Sequence, residues 1–186
     1  MEWCIRMNIF MLSSDPKTCA EMHSDRHVIK MILESAQMIC TTHHLHPAKD
    51  IDYEIPYKKT HENHPCTKWV RQSLTNYEYL KSLMGYLNYE YRKRYNKNVN
   101  HKSFEAVRYL PAPDIEDDGW TRPALAMPDE YKISDDYECC YRTYYAFGKT
   151  KLLNYTRSVE PAFIADYQND QTIIQILKDE GHDFNQ

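Results

Sequence analysis

Glycine is nearly absent from this chain. Gly85, Gly119, Gly148 and Gly181 are all it has in 186 residues, and no two are close enough to build a phosphate-cradling loop. That spacing excludes the P-loop and the dinucleotide fingerprint, and it removes the turn chemistry on which an all-β sandwich or barrel depends. The expected fold is therefore mostly α: a compact single-domain helical bundle with a short N-terminal apolar segment and an irregular C-terminal wrapping region. A hydrophobic content of 42% over this length supplies one core and requires no second full domain. Residues 1–186 are read as one unit, with a helical core over 7–108 and a wrap carrying two C-terminal helices over 109–186.

No stretch approaches the roughly 18 apolar residues of a membrane span, and MEWCIRMNIFML has neither the length nor the cleavage site of a signal peptide. The expectation is a soluble, intracellular (cytoplasmic or nuclear) chain with no membrane partner. Its six cysteines show no CxxC spacing and read as reduced thiols.

Charge is unevenly spread. The net value is −4, yet residues 58–108 hold eleven Lys/Arg against four acids, whereas 109–186 hold seven against fifteen. Tyrosines interleave the basic run YLNYEYRKRYNK, a pattern that fits contact with a nucleic-acid backbone, although a solvated helix end complementing its dipole reads equally well.

Asn8 to Leu12 reads as a brief strand or buried segment. Asp15-Pro16 opens a helical stretch to about Thr42, with a break near Ser24-Asp25. Residues 43–65 form a polar, histidine-rich loop. Val70, Leu74, Tyr77, Leu80, Met84, Leu87 and Tyr91 recur at helical steps and predict one helix over about 66–95. Prolines 111, 113, 123 and 128 keep the following segment irregular; Ser134 caps a third helix through about Phe147, and Asp170 a fourth over 171–180.

Within the first helical stretch, Val28, Met31, Ile32, Ser35 and Ile39 form one apolar or small stripe, and Ile29, Leu33, Ala36 and Cys40 a second. A third stripe, His23, His27, Lys30, Glu34, Gln37 and Thr41, is polar. On a partly exposed helix it simply faces water, with Lys30 and Glu34 as an ordinary ion pair. On a buried one it offers a carboxylate tuned by neighbouring His and Lys for acid–base work. Histidines 61 and 64 with Cys66 have the residue types of metal ligands but lack the spacing of structural zinc sites, so helix capping by His64-Pro65 is the better reading. No nucleophile elbow is present.

Taken in order, these pieces resemble the pyrimidine-dimer DNA glycosylase family, the phage endonuclease V type. Met7-Asn8-Ile9-Phe10 is similar to the family's start. Asp25-Arg26-His27 followed by Glu34 resembles its Asp-x-His and catalytic glutamate. Asn63-His64-Pro65 opens a long helix ending in Tyr91-Arg92-Lys93-Arg94-Tyr95, with His101-Lys102-Ser103 beyond, as in bacterial members. The resemblance covers about residues 7–108. It implies a helical domain that uses no metal or other cofactor, in an intracellular and virus-encoded setting. It implies an N-terminal α-amine that attacks the sugar C1′ and forms an imine, while the glutamate assists the β-elimination that nicks the strand. Two departures stand out: the chain begins six residues before Met7, and Leu33 and Gln37 occupy the places of the family's arginines beside the glutamate.

The resulting expectation is a base-excising glycosylase with abasic-site lyase activity on damaged or modified double-stranded DNA. Glu34 is its acid–base residue, and the nucleophilic amine is that of the chain terminus (Met1, or Met7 if translation starts there) or Lys30. His27 is placed as a partner for Glu34 or a phosphate. Arg26, Lys68, Arg71, Arg92, Lys93, Arg94 and Lys102 are placed on the backbone, and Trp69 or tyrosines in the gap left by a displaced base. Two rivals are a metal-assisted nucleotide hydrolase with Asp25, His27, His61 or His64 as ligands, and a non-catalytic nucleic-acid or protein adaptor.

Overall fold

A computed structural model describes residues 8–184; Met1, Cys4 and Met7 lie outside the described residues. The described residues are helical and irregular, without a strand: α1 Pro16–Met22, α2 Asp25–Leu45, α3 Pro65–Val70, α4 Leu74–Arg94, α5 Lys102–Val107, α6 Tyr137–Gly148, α7 Ala162–Asn169 and α8 Gln171–Asp179, with 3-10 turns at Asp129–Tyr131 and Thr150–Leu152. The mostly α expectation holds.

Two 21-residue helices, α2 and α4, each about 31 Å long, pack along each other and carry the core. Val28, Met31, Ile32, Ala36 and Ile39 of α2 and Tyr77, Leu80, Leu83, Met84 and Leu87 of α4 are all buried. Truncating one of these, Leu83→Ala for example, removes packing worth about 2–5 kcal/mol. Helix α1 lies on α4, α5 on α2, and α6 against α7.

Local chemistry sets the helix starts. Asp15 accepts from the Thr18 N–H at 2.7 Å, with Pro16 in the first turn. His64 and His101 cap α3 and α5 through their Nδ1 atoms, each 3.2 Å from the N–H two residues on. The capping role read for His64 is therefore what the structure has. Asp136, rather than Ser134, caps α6 by accepting from Glu138 N at 2.9 Å. Asp170 caps α8 as expected.

Two expectations are corrected. The single helix over 66–95 is two, broken at Arg71–Ser73, because α4 starts on a cap supplied from a distant segment. Asp117 Oδ1 accepts from Ser73 Oγ, Thr75 N and Thr75 Oγ1 at 2.7–3.0 Å, and Leu74 N donates to Glu116 O. The acidic loop thus serves as an N-terminal cap. The apolar segment at Asn8 to Leu12 is buried but is no strand. Its carbonyls accept from side chains instead: Phe10 O from Cys19 Sγ, Leu12 O from Arg142 Nε and the adjoining Ser13 O from Tyr79 Oη.

No described helix is long and apolar enough to cross a membrane. Cys19, Cys40, Cys66, Cys139 and Cys140 are free thiols.

Candidate active site

The polar stripe is split: His23 falls in the break before α2 as the C-cap of α1, and the stripe's α2 members divide between interior and surface. His23, His27, Glu34 and Thr41 are buried; Lys30 and Gln37 reach the surface. In the second apolar stripe Ala36 and Cys40 are buried, but Ile29 and Leu33 are 36% and 40% exposed. The surface strip of α2 is therefore Arg26, Ile29, Lys30, Leu33 and Gln37, with Glu34 beside it and turned inward.

Glu34 is 2% exposed. Oε2 accepts from the backbone N–H of Asn8 at 2.8 Å, and Oε1 lies 3.1 Å from Nζ of Lys30, whose side chain is 46% exposed. Burial raises the Glu34 pKa above the ordinary carboxylate value, opposed by the Lys30 charge, the Asn8 N–H and His61. The carboxylate is thus a better proton acceptor than an exposed glutamate, and its amine neighbour opens to solvent.

Asn8 anchors the floor. Its Nδ2 donates to Ala126 O at 2.9 Å, and its Oδ1 lies 3.3 Å from the Tyr141 hydroxyl, which donates to Ala124 O at 2.6 Å. The irregular segment around Ala126 therefore folds back onto the residue that holds Glu34. Cys66 Sγ sits 3.7 Å from Asn8 Oδ1, and burial pushes its thiol up to about 12, which removes it as a nucleophile at neutral pH. On the other flank, Thr41 Oγ1 donates to Thr60 O and accepts from Thr60 N, pinning the loop that carries His61 to α2.

His27 lies elsewhere in the network. The Tyr145 hydroxyl accepts from Ser24 N at 2.8 Å and lies in hydrogen-bond contact with His27 Nδ1 at 2.6 Å. The Phe10 ring packs on the imidazole at 4.6 Å between centroids. Burial, with nearby His23, Lys149 and Lys30, pulls His27 down to about 2, so it is a neutral packing and hydrogen-bonding residue.

The basic residues divide. Arg26, at the start of α2, and Arg92 and Lys93, at the end of α4, share one end of the bundle, because Tyr95 Oη donates to Asp25 O at 2.9 Å. Lys68 and Arg71 lie at the opposite end of α4, where Arg71 Nη1 donates to Glu62 O. Lys102 is exposed at the start of α5. Arg94 is corrected: it is 1% exposed and unavailable to a phosphate. Its guanidinium bonds Glu90 Oε2 at 2.7 Å, Asp25 Oδ1 at 3.3 Å, His23 O at 2.6 Å and Glu21 O at 2.9 Å, tying three helices together. Trp69 is corrected likewise: it is 3% exposed, with its indole N–H on Thr121 O, while Trp120 packs on it and is 39% exposed.

The alternative ligand set of Asp25, His27, His61 and His64 does not converge, and no group of three His, Cys, Asp or Glu side chains among the described residues is placed to hold a metal. Asp25 serves Arg94 and the Thr156 N–H, and His64 caps α3.

The residues that sequence reasoning missed are Asn8, Tyr145 and Tyr141. Only the apolar run after Asn8 hinted that the segment is buried; nothing local marks the tyrosines.

Compared with known proteins, residues 7–103 match a family model described as pyrimidine dimer DNA glycosylase. No curated protein and no solved structure matches. The matched span contains Asn8, Lys30, Glu34 and both long helices.

Proposed function

The chain belongs to the pyrimidine dimer DNA glycosylase family, and from that premise we propose that it excises a damaged base and nicks the strand through an imine formed beside Glu34. Family membership gives a DNA-repair enzyme of glycosylase type acting on damaged DNA. The lyase step, the duplex substrate and the residues are our reading, and one observation carries it: a buried carboxylate, one oxygen fixed by a backbone N–H and the other 3.1 Å from a solvent-reaching amine.

Lys30 Nζ, once deprotonated, attacks C1′ of the damaged nucleotide; the C1′–N bond breaks and the base leaves with a proton. Ring opening converts the adduct to a protonated imine. Glu34 takes the C2′ proton, the electron pair moves toward the imine, and the 3′ phosphate leaves, which nicks the strand. Water then releases the amine. The Asn8 N–H fixes one oxygen of Glu34 so that the carboxylate does not have to be ordered during the step. Arg26, Arg92 and Lys93 hold backbone phosphates at one end of the bundle, and Lys68, Arg71 and Lys102 extend the contact.

The Asn8 hydrogen bond favours a second choice of amine. In a chain begun at Met7, the α-amine belongs to the residue that precedes Asn8 in sequence, and Asn8 is the residue whose N–H Glu34 accepts. Borohydride added to protein with a duplex carrying a cyclobutane dimer or an abasic site tests the reading. A covalent protein–DNA band is expected, with the adduct on Lys30 in peptide mapping. An adduct on the α-amine selects the second choice. Folded protein that gives no band on either duplex contradicts the reading.

A further inference from the structure

We infer that Ile29 and Leu33, on the surface strip of α2, press against the faces of an unstacked base step at the lesion and set the preference for damaged over undamaged duplex. This rests on the proposed function.

Both residues are exposed on a helix that is otherwise largely buried, at 36% and 40%. Scattered exposed apolar side chains are ordinary; here the surroundings are what matter. At about 100° per residue, positions 26, 29, 30, 33 and 37 fall within about 100° of arc, so the pair is interleaved with Arg26 and Lys30 and followed by Gln37. The strip carries two cations and no outward carboxylate, in a chain of net charge −4. Lys30 also pairs with Glu34, so whatever the strip touches is adjacent to the reacting carboxylate.

A surface of two cations around two apolar side chains complements a polyanion that exposes apolar area. Duplex DNA exposes the apolar faces of its bases only where a base step is opened; stacked bases offer phosphates, sugars and base edges, with the thymine methyl as the apolar group of the major groove. Apolar side chains inserted between base steps hold such openings, and the cost of opening is least where the stack is already damaged. A protein partner fits poorly, because two side chains are far short of the roughly 800 Å² per partner of a stable interface.

The test is a variant carrying Ile29→Gln and Leu33→Gln together, which keeps helix-forming side chains and charge. Binding is measured on an undamaged duplex and on one with a reduced abasic analogue that cannot form an imine. The expected result is a fall of at least tenfold in the ratio of the two affinities, with undamaged-duplex affinity within twofold of wild type. Arg26→Gln, by contrast, weakens both duplexes alike. A double variant with melting temperature and discrimination both at wild-type values overturns the inference and leaves the imine chemistry standing. Wild-type protein that neither discriminates nor traps overturns both. A double variant that has lost its helical circular dichroism is replaced by the single substitutions, read by the same ratio.

Discussion

Glu34 and Glu90 are both buried carboxylates on the two long helices, exposed 2% and 1%, but their partners differ in kind. Glu90 receives Nε of the fully buried Arg94 at 2.7 Å and Nζ of Lys93 at 3.2 Å, and that same guanidinium reaches Asp25 and two carbonyls. The guanidinium donors hold α1, α2 and α4 together, while Lys93 pairs with Glu90 within α4. Glu34 has a backbone N–H on one oxygen and, on the other, an amine whose side chain is nearly half exposed. Each has a lysine that reaches solvent on Oε1, Lys93 for Glu90 and Lys30 for Glu34, but on Oε2 Glu90 has a buried guanidinium and Glu34 only a backbone N–H. Burial alone therefore does not mark a reactive carboxylate. What marks Glu34 is that no buried cation neutralises it: among the described residues its one ion-pair partner is the half-exposed Lys30.

The largest effect that separates the two is expected at Arg94. Arg94→Met leaves Asp25 buried without its cation and Glu90 with only the half-exposed Lys93, and should cost about 3–5 kcal/mol, lowering the melting temperature by on the order of 10 °C for a chain this size. Loss of less than about 1 kcal/mol in denaturant titration would show that the cluster is not structural.

Acid should act next, through stability. Burial holds His23 and His43 down to about 4 and His27 down to about 2, all below the ordinary histidine value of 6.5. Each binds more protons when unfolded than when folded between those values, so stability present above pH 6.5 is lost as pH falls. The slope is up to about 1.4 kcal/mol per pH unit for each histidine. Melting temperature measured from pH 7.5 to 5 should fall below 6.5, and His27→Gln should flatten the fall. A flat profile in wild type would contradict the buried, neutral assignment.

A smaller effect belongs to Glu34 itself. With its pKa raised from the ordinary glutamate value of 4.5, the acid limb of single-turnover nicking should lie above that value, since the ionised form takes the C2′ proton. The same sign means that ionising Glu34 opposes folding as pH rises. Glu34→Gln should thus leave the melting temperature at neutral pH unchanged or raised. Smallest, Asp136→Ala removes the cap of α6 and should cost about 1 kcal/mol, with the ratio of nicking rates near one because the Asp136 side chain bonds the first turn of α6 and not Glu34 or its partners.

Much of the candidate site was legible in sequence because helical spacing carries it. Arg26, Lys30, Glu34 and Gln37 fall on α2 at three- and four-residue steps, whereas His23, read as part of the polar stripe, lies in the break before it. The two long helices were legible for the same reason. The break at Arg71–Ser73 was not, because the cap that restarts α4 is Asp117, more than forty residues away. Arg94 was not distinguishable from Arg92 within YRKRY; only the Glu90-to-Arg94 spacing hinted at an internal pair. Asn8 escaped because its contribution is a backbone N–H, which no side-chain pattern reveals. The segment around Ala126 and the Asn154–Thr156 stretch that fastens Asp25 are long-range contacts of the irregular half, where no periodicity exists to be read.

The most direct test pairs activity and melting on the same sample of Glu34→Gln. The expected result is single-turnover nicking of a dimer-containing duplex reduced by about 10²–10⁴, with the melting temperature at or above that of wild type. Nicking within a few-fold of wild type in a folded Glu34→Gln protein would contradict the assignment of Glu34 as the reacting carboxylate.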